Sequence, residues 1–414
     1  MNKPKQKKIE VVCTGCDREH PLGTLGRCSD CNSILRPRYP DEAIQSLRDI
    51  QPGPGIDRYR ELFPVSTPLP FLGEGNTPLI KSRRVGPSIG LENLHFKCEG
   101  TNPSGAFKDR SGALVAALAM DANADGILTA SSGNAAAAIS AYSSAVGMKC
   151  LILLEPGGPP AKLRQSLATG AEVLPVEGIF SHGPKAVSDL ILQVTERLNY
   201  YPAFVWAPVN PYILEGIKTL SYEIVDQLGE SPDMIVCPVG GGDMFTAQWR
   251  GYQELLQAGL IKNLPRMVGV QSTSAPPLLK AFLNHDDKVQ TLPSADSKIS
   301  GINVPFSGEH ALKAAKESGG SVAGVSDEDV FHMQERIAVE EGLWVEPVSA
   351  VPVAALTDLL NKGTITSKDK VICIMSGAGF KDDKLAREKA EAVVGDVPVP
   401  FDVEAILYQI RMGS

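Results

Sequence analysis

Short apolar runs recur along the middle of the chain, separated by longer stretches in which apolar residues follow a helical spacing. Seven runs read as strands: residues 94–98, 126–129, 149–154, 172–176, 234–239, 267–270 and 371–375. Each is near-continuously apolar, as expected of strands covered on both faces, and each is followed by a helical stretch. That alternation predicts an α/β fold built on largely parallel sheets. Several of the strands end in Gly or Ser. In open parallel sheets ligands bind beyond the carboxyl ends of strands, so chemistry is sought there.

At both ends of the chain the pattern changes. Residues 52–70 are rich in Pro and Gly and read as a connector leading to Gly73-Glu-Gly-Asn-Thr-Pro78. The residues after 384 form a charged helix and a short tail. Near the start, Cys13-Thr-Gly-Cys16 and Cys28-Ser-Asp-Cys31 form two CxxC pairs eleven residues apart. Such a double knuckle closes one tetrahedral site, and the implied metal is a structural zinc with all four positions filled. So short a module cannot bury enough apolar surface to fold alone, which makes metal binding and folding one event. A redox-active CxxC is the alternative, although it would not need a second pair.

A length of 414 residues predicts two large domains plus a small module. A hydrophobic fraction of 43% against 21% charged residues is that of a protein with a full core. The net charge of −8 argues against a nucleic-acid-binding surface. Apolar stretches such as residues 113–120 fall short of the roughly 20 residues of a membrane helix. No apolar run follows Lys3, Lys5, Lys7 and Lys8, so a secretory signal is not expected. Cys98, Cys150, Cys237 and Cys373 lie in apolar runs and read as buried thiols of a reducing, cytoplasmic compartment.

Four segments carry candidate chemistry. Lys108 sits in the first turn of a helix after Asn102-Pro-Ser-Gly-Ala-Phe. The helix dipole opposes a cation there, and that field with partial burial turns an amine into a better nucleophile toward an aldehyde. A solvated surface lysine is the bland alternative. Ser131-Ser132-Gly133-Asn134 joins a strand to an Ala-rich helix, an anion site suited to a carboxylate or else a simple helix cap. Gly240, Gly241 and Gly242 let the backbone approach a phosphate closely, with Asp243 and Met244 leading into a helix near Phe245. A tight turn without ligand would look the same. Ser376 places a hydroxyl just past the strand at 371–375. One cofactor carrying an aldehyde, a phosphate, a ring hydroxyl and a ring nitrogen would use all four.

From about residue 73 to about residue 382 the chain resembles the threonine synthase branch of the tryptophan synthase β-like pyridoxal-phosphate enzymes. The resemblance rests on Asn102-Pro-Ser-Gly-Ala-Phe-Lys-Asp-Arg110, Ser131-Ser-Gly-Asn134, Val209-Asn-Pro-Tyr-Ile-Leu-Glu-Gly-Ile-Lys-Thr219, Pro265-Arg-Met-Val-Gly-Val-Gln271 and Ser376-Gly-Ala-Gly-Phe-Lys-Asp382. It implies two open, mostly parallel sheet domains with pyridoxal 5'-phosphate in the cleft between them, beside an N-terminal zinc-ribbon-like module. The implied boundaries are 1–45 for the module and linker, 46–108 and 208–395 for the large domain, 109–207 for the small domain and 396–414 for a tail.

The same resemblance implies that Lys108 holds the cofactor as a Schiff base and Asn134 bonds its ring oxygen. Gly240, Gly241, Gly242, Asp243 and Met244 line its phosphate, and Ser376 faces its ring nitrogen. A hydroxyl there, in place of a carboxylate, would not hold that nitrogen protonated. The family reaction converts O-phospho-L-homoserine and water into L-threonine and phosphate. Lys108 would move protons at Cα and Cβ, and Ser131, Ser132 and Asn134 would hold the substrate carboxylate. Lys162, Arg164 and Lys218 are candidates for the leaving phosphate's surroundings, with solvated helix charges as the alternative. Relatives are commonly dimers, so a homodimer is expected.

In one respect the pattern departs. Many threonine synthases carry asparagines in the phosphate loop, whereas Gly240-Gly-Gly-Asp-Met244 is closer to the loops of threonine and serine deaminases. Asp243 is awkward beside a phosphate unless it caps the following helix from the side. Two other readings therefore stand beside threonine synthase. One is a deaminase or a phosphoserine-using synthase; the other is a non-catalytic zinc-ribbon binding protein.

Overall fold

Val11, Val12 and Cys13 are buried residues of the first strand, and their apolar side chains fix a small antiparallel sheet at the N-terminal end. It consists of β1 (Glu10–Cys13), β2 (Glu19–His20) and β3 (Leu35–Arg38) in the order β2-β1-β3. A computed structural model describes residues 9–156, 160–180, 182–394 and 399–412. Residues up to Lys381 form one compact unit; a second, Asp382–Ser414, contains the helices Lys384–Val394 and Val403–Met412.

Within the first unit the Val/Ile/Leu-rich runs make two larger sheets. One contains β4 (Leu79–Lys81) and β5 (Leu94–Cys98). The chain then leaves it to build β6 (Gly126–Ala130), β7 (Lys149–Leu154), β8 (Glu172–Pro175) and β9 (Tyr200–Pro202) of the other. It returns for β10 (Met234–Pro238), β11 (Arg266–Ser272), β12 (Ser321–Val325) and β13 (Val371–Met375). The larger sheet has the order β12-β11-β10-β13-β5-β4, parallel except for the antiparallel pair β4–β5. The smaller has the order β8-β7-β6-β9 and is wholly parallel. The α/β architecture expected from the alternating pattern is present.

All seven expected strands occur, three with identical limits and four with ends shifted by up to two residues. Not anticipated were β1, β2 and β3, set by cysteine-rich turns, the three-residue β4 and β9, and β12, whose Ser-Val-Ala-Gly-Val carries little periodicity. Strands β5, β10, β11 and β13 bury one face against the apolar helix Pro347–Ala354. In the smaller sheet, Leu128, Ala130 and Leu153 pack against Val187 and Ile191 of the helix Gly183–Leu198.

Beneath the larger sheet, four buried charges tie elements together. The Arg110 guanidinium donates to Glu99 at 2.7 and 2.8 Å and to Glu223 at 2.8 and 2.7 Å. Lys97 Nζ lies 3.0 Å from Glu223. Two cations against two carboxylates leave the cluster neutral, the condition under which burying charge is tolerable. It connects β5, the helix Lys108–Asp121 and the helix Ile213–Leu228. The two helices touch closely: a Cβ on Gly216 would lie 2.1 Å from the Arg110 carbonyl oxygen.

Candidate active site

Lys108 opens the helix Lys108–Asp121, as its place after Asn102-Pro-Ser-Gly-Ala-Phe predicts. The loop before it is sewn to the loop after β13. Phe107 N–H donates to Ser376 O at 2.9 Å and Ala378 N–H to Gly105 O at 2.9 Å. Gly105 has φ of +88°, in the left-handed region that suits glycine. Lys108 and Ser376 are therefore held in fixed relation by backbone bonds. Burial lowers the Lys108 pKa from 10.5 to about 8, with the Asp243 and Glu346 carboxylates pulling the other way. Its amine is thus far more available as a neutral nucleophile near pH 7 than an ordinary lysine's.

After β6, Ser131, Ser132 and Gly133 lead into the helix Asn134–Ala145, whose N-cap, Gly133, makes no side-chain capping bond. Its first N–H groups are left for a ligand anion. All three loop residues and Asn134 keep partial solvent access. The Asn134 amide nitrogen faces Glu346, at 3.0 Å from both carboxylate oxygens.

The glycine loop follows β10, and its carbonyls are anchored on one side. Ser307 Oγ donates to Gly240 O, and Gly308 N–H donates to Gly241 O at 2.8 Å. In a trans peptide the N–H points opposite to the preceding C=O. The amides of Gly241 and Gly242 consequently face away from that anchor, forming a cradle of donors at the start of the helix Asp243–Gln257. Gly242 has φ of +99°, and a Cβ there would meet Ala311 Cβ at 2.5 Å.

The helix thus begins at Asp243, two residues before the expected start. Asp243 does not cap it. Its Oδ1 accepts from Ala207 N–H at 3.0 Å and lies 3.3 Å from His310 Nε2, an arrangement that commits the carboxylate to protein partners. Met244 is buried in the first turn.

For the substrate-side cations the structure redraws the expectation. Lys218 is fully buried between Glu215 at 2.6 Å and Glu254 at 2.9 Å, with its ammonium 4.1 Å from the Tyr39 ring centroid. Two carboxylates already neutralise it, so it joins the N-terminal segment to two helices and is no free cation for a phosphate. Glu215 sat three residues away in the sequence, but Glu254 and Tyr39 did not. Arg164 is exposed on the helix Pro160–Ala168; the side chain of Lys162 lies outside the described residues. From that helix it is Gln165 that reaches the lysine loop, donating to Ser104 O at 2.9 Å. Lys381 Nζ reaches the same carbonyl at 2.9 Å. Burial lowers its pKa, opposed by Glu346 and Asp109, which puts a cation beside the site that sequence reasoning passed over.

Sequence reasoning also missed Glu346. It precedes Pro347 in a helix N-cap position and reads as a structural residue. The structure buries it between Asn134 and Ser376, with Ser376 Oγ 3.3 Å from its Oε1.

Among proteins of known function, the threonine synthase of Methanocaldococcus jannaschii is 33% identical over 394 residues, spanning 92% of this chain and 94% of that one. That of Halalkalibacterium halodurans is 34% identical over 362 residues, spanning 86% and 97%. The profile of the family described as pyridoxal-phosphate dependent enzyme matches residues 70–377. The chain belongs to the threonine synthase family. It is accordingly a pyridoxal-phosphate-dependent enzyme, a carbon–oxygen lyase by class. Its fold is also that of maize serine racemase, with a TM-score of 0.65 and 20% identity over 77% of this chain and 93% of that one. The serine racemase of Dictyostelium discoideum superposes with a TM-score of 0.59 at 22% identity, over 74% and 92%.

The site fits the family's cofactor on its own chemistry. It offers a buried amine of lowered pKa for the aldehyde, an outward-facing pair of glycine amides for the phosphate, and an amide and a hydroxyl for the ring. One consequence is measurable. Capture of pyridoxal phosphate by the cofactor-free protein should accelerate about tenfold per pH unit up to about 8 and level off above it, because only the neutral amine attacks. A rise continuing to 10.5, the ordinary lysine value, would contradict the burial of Lys108.

Away from this site, the four cysteine sulfurs lie within 4.8 Å of one another. Each CxxC ends in a left-handed residue, Asp17 at φ 56° and Asn32 at φ 60°, whose N–H returns to the first cysteine's carbonyl. The module is docked by Gly26 N–H on Val209 O at 2.9 Å and by Tyr212 O–H, which accepts from Gly23 N–H at 2.7 Å.

Proposed function

We propose that the protein converts O-phospho-L-homoserine and water into L-threonine and inorganic phosphate. The observation that carries this reading is the joining of a low-pKa Lys108 to an uncapped helix N-terminus at Ser131, Ser132 and Asn134, within a chain of this family. When bound, pyridoxal phosphate supplies an electron sink for charge developing at the substrate's Cα.

The chain's own residues do the rest. Gly240, Gly241 and Gly242, with Asp243 and Met244 behind them, hold the cofactor phosphate; Asn134 contacts the ring oxygen and Ser376 the ring nitrogen. The N–H groups at the Asn134–Ala145 helix start, with the Ser131 and Ser132 hydroxyls, bind the substrate carboxylate. Lys108, as a buried amine of lowered pKa, would take the Cα proton and deliver protons along the carbon chain. A pKa near 8 suits an amine that must act as both base and acid near neutral pH. As the γ-phosphate leaves, Lys381 and Arg164 supply positive charge, and water adds at Cβ. The active protein is a cytoplasmic homodimer in this reading; among the described residues no helix is long and apolar enough to cross a membrane.

A second reading, elimination on threonine or serine, is favoured by one observation, the phosphate loop Gly240-Gly-Gly-Asp-Met244, which carries no asparagine. The cofactor-loaded protein supplied with O-phospho-L-homoserine should release phosphate and threonine, while L-threonine or L-serine should give no 2-oxo acid. Oxo acid from those substrates without turnover of the phosphorylated one would replace the first reading by the second.

The cysteine module holds one structural zinc in this proposal. The purified protein should carry about one zinc per chain, since one such cluster fills a single tetrahedral site. Cys16→Ser should lose the metal and lower the melting temperature. A metal-free wild-type protein of unchanged stability would overturn this assignment.

A further inference from the structure

Between the cysteine module and the helix Asp243–Gln257 lies a cavity of about 1060 Å³, and neither Lys108, Asn134, Ser376 nor any glycine of the phosphate loop lines it. Ser307 and Gly308, which anchor that loop's carbonyls, do line it. The cavity therefore sits on the side of the loop opposite to the glycine amides. Three arginines and four lysines line it against two aspartates and two glutamates, in a chain of net charge −8. Two of those carboxylates are already engaged, Asp287 by Lys316 at 3.1 Å and Glu317 by the Trp249 ring N–H at 3.0 Å.

Among the arginines the imbalance is sharpest. Arg250, buried on the helix Asp243–Gln257, pairs with Glu215 at 3.4 Å, but Lys218 holds that carboxylate more closely, at 2.6 Å. Arg36, on β3, makes no ion pair among the described residues, and its buried Nε–H has no partner. Burial lowers the Arg250 pKa; Glu215 opposes this, and Arg36 is close enough to lower it further. Lys218, Arg250 and Arg36 thus answer to Glu215 and Glu254, three cations to two carboxylates, which leaves one positive charge without a counterion. Arg27 stands 5.8 Å from the Trp206 ring centroid, with one N–H given to Asn32 O at 2.9 Å. Trp206 Nε1 and Thr246 Oγ1, both on buried residues lining the cavity, also lack a partner among the described residues. Neighbouring like charges and orphaned buried donors around one cavity are costly unless an anion completes them.

We propose that this cavity is a second anion site, separate from the cofactor site, which takes the phosphate group of a small organic phosphate between Arg36 and Arg250, with Arg27 as a third cation. Guanidinium forks match phosphate oxygens two at a time. The volume is at the upper end of the roughly 300–1,000 Å³ usual for ligand pockets and far exceeds the needs of a single ion. Trp206 and Phe306, tilted with ring centroids 5.0 Å apart, give the organic part an apolar wall. A ligand here joins β3 of the module to the helix that opens at the glycine cradle. The site does not depend on which substrate the active site takes.

The test is calorimetric titration of the full-length, cofactor-loaded protein with glycerol 3-phosphate and, separately, with inorganic phosphate. The wild type should bind the ester, and Arg36→Gln should weaken that binding by about tenfold or more, the loss expected for one charge-assisted contact. Wild-type protein that binds neither probe overturns the proposal. So does an Arg36→Gln protein that binds both as tightly as the wild type, because the phosphate is then held elsewhere, the active site included. Where Arg36→Gln does weaken binding, an ester held more tightly than inorganic phosphate supports the organic ligand, and an ester held no more tightly overturns it in favour of the free ion. Should Arg36→Gln fail to fold, Arg27→Gln carries the same titration, with a weakening expected and unchanged affinity overturning the site.

Discussion

Glu223→Ala should destabilise the protein by about 3–5 kcal/mol, the effect expected when one partner of a buried ion pair is removed and the others stay behind. The mutation leaves Arg110 and Lys97 facing Glu99 alone, with one positive charge uncompensated in a site without solvent access. Against a typical stability of about 5–15 kcal/mol that is a large fraction. Thermal or denaturant unfolding reads it directly, and a change below about 1 kcal/mol would mean that the cluster is not the buried network described. A pH dependence follows with a definite sign. Burial alone would raise the Glu223 carboxyl, but Arg110 and Lys97 outweigh it and hold it well below the usual carboxylate range. Its stabilising contribution is present above the ordinary carboxylate pKa and is lost only as the pH falls through the depressed one.

Lys108→Ala should abolish turnover, by at least about 10²–10⁴-fold, the contribution of one well-placed acid–base group, while leaving the folded state intact. The substitution removes the amine but not the loop bonds from Phe107 and Ala378 that hold the segment. The measurement is the rate of phosphate release beside a melting curve. Retention of more than about a tenth of wild-type rate would remove Lys108 from the chemistry. Loss of activity together with loss of fold would assign it a structural role.

Much of this site was legible in the sequence because parallel sheets place chemistry at strand ends. Ser131, Gly240 and Ser376 each follow an apolar run directly, and Lys108 opens a helix against its dipole. What could not be read was partnership across the fold. Lys218 offered no sign that Glu254 and Tyr39 would enclose it, and Asp243 looked like a helix cap until Ala207 and His310 were placed beside it. Glu346 stands thirty residues before Ser376, in front of a proline where a carboxylate is an ordinary helix-start residue. Only the fold brings the two to 3.3 Å. The short strands β4, β9 and β12 escaped for a related reason: too few residues, or too many small ones, to show a period.

The central claim is tested most directly by turnover of O-phospho-L-homoserine in oxygen-18 water, with both products analysed by mass spectrometry. The account predicts threonine and phosphate in equal amounts, one oxygen-18 in the threonine hydroxyl and none in the phosphate, since the carbon–oxygen bond breaks and water adds at Cβ. Label in the phosphate, or phosphate released without threonine, would contradict it.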